Sequence, residues 1–270
     1  MLEGLTKYWG FYLVAVPDAN GVGINDFAEA LAQFTEYWEW VTDLRSLDVT
    51  RRAAQDEVNS RIASRHLRRV LAACIVVFRL FLQLAIQVDG TLQEKHKRFW
   101  LWFQLFGEVP FGGTHPFVRI MNCTRSASDD ALDVLIGCLN DILCDVLNDP
   151  HFILGLDEAQ WASRLYPHSF ISSTDAATTR SIIREVAKVF TKLPIKLVVS
   201  GTGLSLQELN DTMASGVSKP APVELFHNLG MFDTWQDVKL FVDRYIPAYI
   251  FETNSGRHLQ QQMREYLLGR

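Results

Sequence analysis

The stretch His151-Phe-Ile-Leu-Gly-Leu-Asp-Glu-Ala-Gln160 decides the fold predicted for this chain. It joins a short apolar run to two adjacent carboxylates. A strand buried on both faces of a parallel sheet is almost continuously apolar, and open α/β sheets bind ligands beyond the carboxyl ends of their strands. The pattern therefore predicts a buried parallel strand that delivers Asp157 and Glu158 to a ligand site.

Two acids at the end of such a strand have the form of a Walker B motif. In a nucleoside triphosphatase, Asp157 would hold Mg²⁺ through its water shell, and Glu158 would polarise the water that attacks the γ-phosphate. The alternative is a strand that ends in a plain acidic turn. A hydrolase that uses the two acids as a flanking pair is disfavoured, because adjacent residues of a strand point to opposite faces.

A second polar segment follows a second apolar run. Residues 195–200 predict another buried strand, and Ser200-Gly-Thr-Gly203 lies at its end. One helix is predicted between the two strands, so we expect their carboxyl ends to lie side by side. Ser200 and Thr202 are therefore candidates for a sensor role, in which a hydroxyl binds the attacking water or the γ-phosphate. The alternative is a glycine-rich turn after a buried strand.

The rest of the chain is mostly helical by pattern. The other predicted elements are a strand over 9–16, a helix over 26–44, helices through 48–148, a polar loop over 161–179, a helix over 180–193, a short helix over 205–214, a strand over 223–226, and helices over 234–245 and 257–268. Strands separated by helices imply parallel pairing, so we predict a three-layer α/β sheet with a large helical insertion at about 48–148. Residues 1–232 would form this core, and residues 233–270 would begin a helical lid or C-terminal subdomain.

Composition and charge restrict the classes of partner. The chain has 270 residues, a net charge of −5 and no sign of a broad surface for nucleic acid. The basic run Arg65-His66-Leu67-Arg68-Arg69 is interpreted as a solvated helix face rather than a polyanion-binding patch. Residues 70–88 are long enough to span a membrane, but Arg79 inside them would cost about 2.5–3.5 kcal/mol on insertion, so we predict a buried helix.

The four cysteines indicate a reducing environment. Cys74, Cys123, Cys138 and Cys144 lack the paired spacing of a zinc site or a redox motif. We therefore expect free thiols, no structural zinc and an intracellular location, without a distinction between cytoplasm and nucleus.

The phosphate-binding loop is absent from the sequence. The motif G-x-x-x-x-G-K-[ST] cradles phosphates with backbone N–H groups and a lysine, but the chain contains no Gly-Lys pair. The nearest imitation, residues 107–114, has Gly113 in the lysine position and runs into Pro116, which leaves no room for the required helix. ATP and Mg²⁺ are therefore expected to bind only weakly, and the chain is expected to be inactive in hydrolysis as it stands.

Several segments together resemble a known family, the P-loop nucleoside triphosphatase module of Crinkler-type proteins. The resemblance lies in Tyr8-Trp-Gly-Phe-Tyr12, Asn20-Gly-Val-Gly23, Leu156-Asp-Glu-Ala-Gln160, Val198-Val-Ser-Gly-Thr-Gly-Leu-Ser205 and Leu267-Leu-Gly-Arg270. It implies a sheet of the ASCE or AAA-like type that binds ATP and Mg²⁺. It also implies that Asp157 and Glu158 are the Walker B acids, that residues 200–202 form the sensor segment, and that Arg270 faces the nucleotide.

The same resemblance bears on the ends of the chain. In that family the P-loop stands immediately before a Leu-x-Glu-Gly-Leu segment, which Leu2-Glu-Gly-Leu5 resembles. It therefore implies that the chain starts just after its phosphate-binding loop, and that the family module continues beyond a terminal Gly-Arg.

Two functions of different class follow from these patterns. The first is an ATPase-type module that is catalytic within a longer protein. The second is a non-catalytic interaction or assembly module that keeps the α/β frame and contacts a protein partner through the helical insertion. A G-x-x-x-x-G-K-[ST] motif in the reading frame upstream of Met1 would favour the first function.

Overall fold

The computed structural model describes residues 2–16, 26–106, 115–149, 151–172, 177–201, 234–236, 239 and 252–267. The chain forms two compact units, Met1–Val223 and Glu224–Arg270. The helix predicted over 205–214, the strand over 223–226 and most of the helix over 234–245 lie outside the described residues.

Three parallel strands form the larger sheet. The strands, in chain order, are β1 (Trp9–Val14), β2 (Phe152–Asp157), β3 (Phe170–Ile171), β4 (Thr179–Arg180) and β5 (Lys196–Val199). β2 lies between β1 and β5 and pairs in parallel with both, while β3 and β4 form a small antiparallel pair. The predicted strands at both polar segments and their parallel pairing are confirmed.

Helices account for most of the other described residues. They are α1 (Leu2–Lys7), α2 (Asp26–Ala32), α3 (Val49–Asp89), α4 (Glu94–Phe106), α5 (Pro116–Cys123), α6 (Asp129–Asp141), α7 (Ala159–Leu165), α8 (Ile183–Phe190) and α9 (Asn254–Leu267). The ends of α3 follow from the sequence. The Asp48 side chain accepts a hydrogen bond from the Arg51 N–H at its start, and Gly90 ends it with a φ of 75°, which glycine adopts without strain.

Helix α3 packs directly on one face of the sheet. The Phe11 ring of β1 contacts Phe152 of β2 and Phe78 of α3 edge to face, with ring centroids 4.9 and 5.8 Å apart. Such pairs add stability beyond the apolar area that they bury. Part of the segment predicted as an insertion therefore belongs to the main core, and a smaller apolar cluster containing Leu5 and Leu101 covers the other face.

Helix α4 covers the outer edge of β1. The Gln104 side-chain oxygen accepts a hydrogen bond from the Tyr12 N–H at 2.8 Å, and its amide nitrogen donates to the Gly10 carbonyl at 3.2 Å. The Trp100 indole N–H donates to the same carbonyl at 2.7 Å. An unpaired strand edge is a template for aggregation, and these side chains occupy its backbone groups. The sheet therefore ends at β1 on this side.

Gln104→Ala is expected to lower the free energy of unfolding by about 1–3 kcal/mol, because it leaves the buried Tyr12 N–H without an acceptor. Urea unfolding followed by circular dichroism measures this difference. Gln87→Ala, at an exposed position of α3, is the control and should change stability by less than about 0.5 kcal/mol. Equal effects of the two substitutions would contradict the edge role of Gln104.

The helix predicted over 26–44 is shorter than expected. α2 ends at Ala32, and only 3₁₀ turns follow it, at Gln33–Glu36 and Leu44–Ser46. The Asn59 side chain of α3 accepts a hydrogen bond from the Val41 N–H at 3.2 Å and donates to the Val41 carbonyl at 2.7 Å. Contacts with α3 thus replace the helical hydrogen bonds that the local pattern predicted.

Two further expectations are corrected in the second half of the chain. The predicted polar loop over 161–179 instead contains most of α7, then β3 and the start of β4. β3 is anchored by α3, because the Asp56 carboxylate accepts the Ile171 N–H at 2.8 Å. The strand over 195–200 was expected to be buried, but Lys196 and Val198 are exposed, since β5 is the last strand of the described sheet.

The basic run on α3 is not a solvated face, so that interpretation is wrong. Its arginines donate to backbone carbonyl oxygens of α5, of the connection after it and of the start of α6: Arg69 to Met121, Arg65 to Ala127 and Arg68 to Asp129, at 2.6–2.9 Å. Arg69 is only 1% exposed, and burial lowers its pKa. This basic run therefore connects α3 to α5 and to the start of α6.

Helix α3 is also the one helix in the described part of the chain that is long and apolar enough to cross a membrane. Half of its most apolar 18-residue window is buried within the fold, as in the core helix of a soluble protein. The buried-helix interpretation is consistent with this packing, and the absence of a membrane partner stays a prediction.

Candidate functional site

The two predicted Walker B acids lie at the carboxyl end of the middle strand. Asp157 is the last residue of β2, and Glu158 connects it to α7. Glu158 has φ 54° and ψ 34°, a left-handed conformation that is uncommon for residues other than glycine, asparagine and aspartate. Residues held in such conformations cluster at functional sites, where the surrounding structure compensates for the strain.

The structure brings Ser200 to Asp157. The Ser200 hydroxyl donates to Asp157 Oδ1 at 2.5 Å. Backbone contacts fix this approach, because the Ser200 N–H donates to the Leu156 carbonyl at 2.9 Å and the Ala159 N–H donates to the Ser200 carbonyl at 3.0 Å. The adjacency predicted for the ends of the two strands is therefore confirmed, with β5 directly beside β2.

Tyr12 also reaches this site, and the sequence did not single it out. Its hydroxyl donates to Asp157 Oδ2 at 2.6 Å. The strand register places Tyr12 opposite Gly155, and residues 155 and 157 share one face of β2. Because Gly155 has no side chain, the phenol can extend over it to the carboxylate. A polar residue near the end of β1 was the only sequence signal.

The surroundings of Tyr12 keep its hydroxyl protonated, so the hydroxyl remains a hydrogen-bond donor. Burial raises its pKa, and the hydrogen bond to Asp157 and the charges of Asp157 and Glu158 raise it further. The phenol therefore remains protonated through the physiological pH range. Together, the Tyr12 hydroxyl, the Ser200 hydroxyl and the Glu158 N–H, 3.0 Å from Oδ1, give Asp157 three donors.

Glu158 is oriented separately from Asp157. Its Oε2 accepts a hydrogen bond from the Gln160 side-chain amide, two residues along the chain. Gln160 is therefore a second site residue that the sequence reasoning missed. In the part of the chain that the structure describes, neither acid forms an ion pair. The two half-buried carboxylates therefore have neutral groups as their hydrogen-bond partners.

The described residues offer only a partial set of oxygen ligands for a metal ion. Among the described residues, no group of three or more histidine, cysteine or acidic side chains could enclose a metal. Mg²⁺ commonly keeps several waters and takes one or two carboxylates together with substrate phosphates. Asp157, with Ser200 beside it, would be the protein's contribution to a site of that kind.

Two predicted site residues, Thr202 and Arg270, lie outside the described residues. The four cysteines are described, and none of them forms a disulfide.

Comparisons with protein-family models, with curated proteins and with solved structures give no match for this chain.

Proposed function

We propose that this chain is a P-loop ATPase-like module with Walker B and sensor elements but no Walker A loop, and that it is inactive in ATP hydrolysis as it stands. The sheet would be the three-layer parallel type of the ASCE or AAA-like ATPases. The proposed ligands are ATP and Mg²⁺, both bound weakly without a phosphate loop.

One observation carries the proposal: the Ser200 hydroxyl meets the Asp157 carboxylate where two adjacent parallel strands end. This edge of an open α/β sheet is where ligands bind. A plain acidic turn requires neither a hydroxyl from the neighbouring strand nor the left-handed conformation of Glu158. The Tyr12 phenol adds a third element, since it approaches the same carboxylate from β1.

We assign each side chain a separate role from the groups that surround it. Asp157, surrounded by donors, would accept hydrogen bonds from the waters of Mg²⁺. Glu158 would polarise the attacking water, and Ser200 would bind that water or the γ-phosphate. Thr202 and Arg270 keep their proposed roles as a second sensor hydroxyl and a nucleotide-facing arginine. Charge stabilisation by a lysine and an amide cradle, the largest contribution in phosphoryl transfer, would have to come from an added loop.

An exposed apolar surface favours the alternative, a non-catalytic interaction or assembly module. Leu84 and Val88 of α3, and Phe99 and Trp102 of α4, are 52–80% exposed. Exposed large apolar side chains that cluster on a surface commonly mark protein-binding sites. These helices belong to the segment predicted as an insertion, so a protein partner would bind there.

The chain as given is expected to bind ATP·Mg²⁺ no more tightly than about 1 mM and to show no turnover above background, because most phosphate-binding groups are absent. Isothermal titration calorimetry and a phosphate-release assay measure the two properties. A micromolar dissociation constant would show that another segment replaces the loop. The upstream reading frame then separates the two functions, since a phosphate loop there favours the ATPase and its absence favours the assembly module.

A further inference from the structure

We propose that His66 is a pH-sensitive switch: its protonation releases Tyr37 and the preceding turn, Gln33–Glu36, from α3, while the rest of the chain stays folded. The switch lies where α3, this turn and the end of α5 meet. It shares no residue with the candidate site at the end of β2. The inference therefore goes beyond the proposed function and does not depend on it.

The contacts of the His66 imidazole require its neutral form. The side chain is 1% exposed and contacts the rings of Phe34 and Tyr37, with centroids 5.4 and 5.3 Å away. Its Nδ1 lies 3.3 Å from Nη1 of Arg69. A guanidinium has donors only, so Nδ1 is the acceptor and Nε2 carries the proton. A second proton on the ring would therefore break the hydrogen bond with Arg69.

The charged groups around His66 also oppose its protonation. They are Arg69 and Arg65 of α3 and Arg125, which follows α5, while Glu36 is paired with Arg125 at 3.3 Å. Burial first, and then the three arginine charges, lower the pKa of His66 from 6.5 to about 4. Nε2 is buried and has no hydrogen-bond partner among the described residues. A protonated His66 is therefore stable only where water can reach it.

Tyr37 is the neighbour whose movement would bring water to His66. Phe34 and Arg69 are buried, and Arg69 also donates to the Met121 carbonyl at 2.9 Å, so both are held within the fold. Tyr37 is only half-buried and reaches the surface. The turn before it is 3₁₀, a form with poorer hydrogen-bond geometry than the α-helix. Opening at Tyr37 is therefore the least costly way to hydrate the imidazole.

The sign of the pH effect follows from proton linkage. When the turn is open, His66 lies in water and its pKa returns to about 6.5. Between about pH 6.5 and pH 4 the open form therefore binds a proton that the closed form does not. The closed form has its full stability above this range and loses stability as the pH falls through it. The open population should rise roughly 20-fold between pH 7 and pH 5.

Amide hydrogen exchange of the ¹⁵N-labelled chain at pH 7 and pH 5 tests the proposal. The reporters are the N–H groups of Tyr37 and Trp40, which donate to the carbonyls of Phe34 and Tyr37 at 3.2 and 3.0 Å. After correction for the intrinsic pH dependence of exchange, their protection should fall roughly 20-fold at pH 5. The Tyr12 N–H, bound by Gln104 at 2.8 Å, should stay better protected than Tyr37 at both pH values, because the opening is local.

His66→Asn is the variant that isolates the switch. Asparagine has an oxygen that can replace Nδ1 as the acceptor for Arg69, but it does not bind a proton, so the fall in protection at Tyr37 should disappear. His66→Phe, which keeps a ring beside Tyr37 and cannot be protonated, takes its place if the asparagine variant does not fold. His115→Asn is the matched control and should keep the wild-type fall. His115 is also buried, at the start of α5, and burial also lowers its pKa to about 4.

Three results would overturn the proposal. The first is a wild-type protection of Tyr37 that stays constant from pH 7 to pH 5. The second is a fall that persists in a folded His66 variant, which would assign the pH dependence to another group. The third is a Tyr12 N–H no better protected than Tyr37 at pH 5, because the chain would then open as a whole. None of these measurements involves a nucleotide, so the proposed function is tested separately.

Discussion

Asp26→Asn is expected to stabilise the protein by about 4 kcal/mol at about pH 8 and to leave its stability nearly unchanged at about pH 4. Asp26 is fully buried at the start of α2. Its carboxylate accepts the Phe27 N–H at 2.9 Å, and the Cys74 thiol donates to it at 3.7 Å. Burial raises its pKa from 3.8 to about 7, against a smaller lowering by these hydrogen bonds.

The sign of the effect follows from proton linkage. Between about pH 4 and pH 7, the folded chain holds the Asp26 proton, whereas the unfolded chain has lost it. Stability from this group is therefore fully present below the unfolded pKa and is lost as the pH rises through the folded pKa. Above that range the folded state carries the whole cost of a buried charge. Asparagine keeps an acceptor for Phe27 and never ionises, so the advantage of the variant appears only at the higher pH.

Urea unfolding of the wild type and the variant at a series of pH values measures this difference. Asp141→Asn, at an exposed position of α6, is the control and should not change the shape of the pH dependence. A difference between Asp26→Asn and the wild type that stays constant from pH 4 to pH 8 would contradict the buried-charge explanation. Neither result depends on the function of the protein.

Local signals explain which parts of the fold were predictable. The apolar run before Asp157 and the run before Ser200 are short and bounded by polar residues, so their strands could be identified. The helical character of α3 was equally clear, because the pattern starts near Asp48 and no proline interrupts it. In these segments the preferences of the sequence and the packing of the fold agree.

Long-range contacts explain the errors. Nothing near Val41 in the sequence indicates that Asn59 takes both of its backbone hydrogen bonds and so holds it outside a helix. The basic pattern around Arg69 is the same for a solvated face and for a buried side chain that reaches the Met121 carbonyl. Tertiary partners decide between such outcomes, and periodicity contains no information about them.

The residues of the candidate site also fall into two groups, those that the sequence identified and those that only the fold brings to the site. The acids and Ser200 could be identified because each directly follows a strand, and parallel strands bring their ends together. Tyr12 could not, since its role depends on the register that places it opposite Gly155. Gln160 is the last residue of the stretch 151–160 that predicted the middle strand. Its contact with Glu158 depends on the left-handed turn between β2 and α7, which the sequence does not show.

If the reading frame upstream of Met1 encodes a phosphate loop, Glu158→Gln in a form that includes it is expected to reduce ATP hydrolysis by roughly 10²–10⁴-fold, the range for a positioned general base. Glutamine keeps the shape of Glu158 and a side-chain oxygen that can accept the Gln160 amide, so the local turn should persist. Nucleotide affinity should survive. Steady-state hydrolysis and equilibrium nucleotide binding, with and without Mg²⁺, measure the two properties.

Two further variants show whether the effect is specific to the site. Asp157→Asn should weaken the Mg²⁺-dependent part of nucleotide binding, because this carboxylate is assigned to the water shell of the metal. Glu57→Gln, at an exposed position of α3, should change neither binding nor turnover. A structural acidic turn predicts that substitution of either site acid alters stability alone. If Glu158→Gln hydrolyses ATP at the wild-type rate, Glu158 does not polarise the attacking water, and the contact between Ser200 and Asp157 is then only a structural link between β5 and β2.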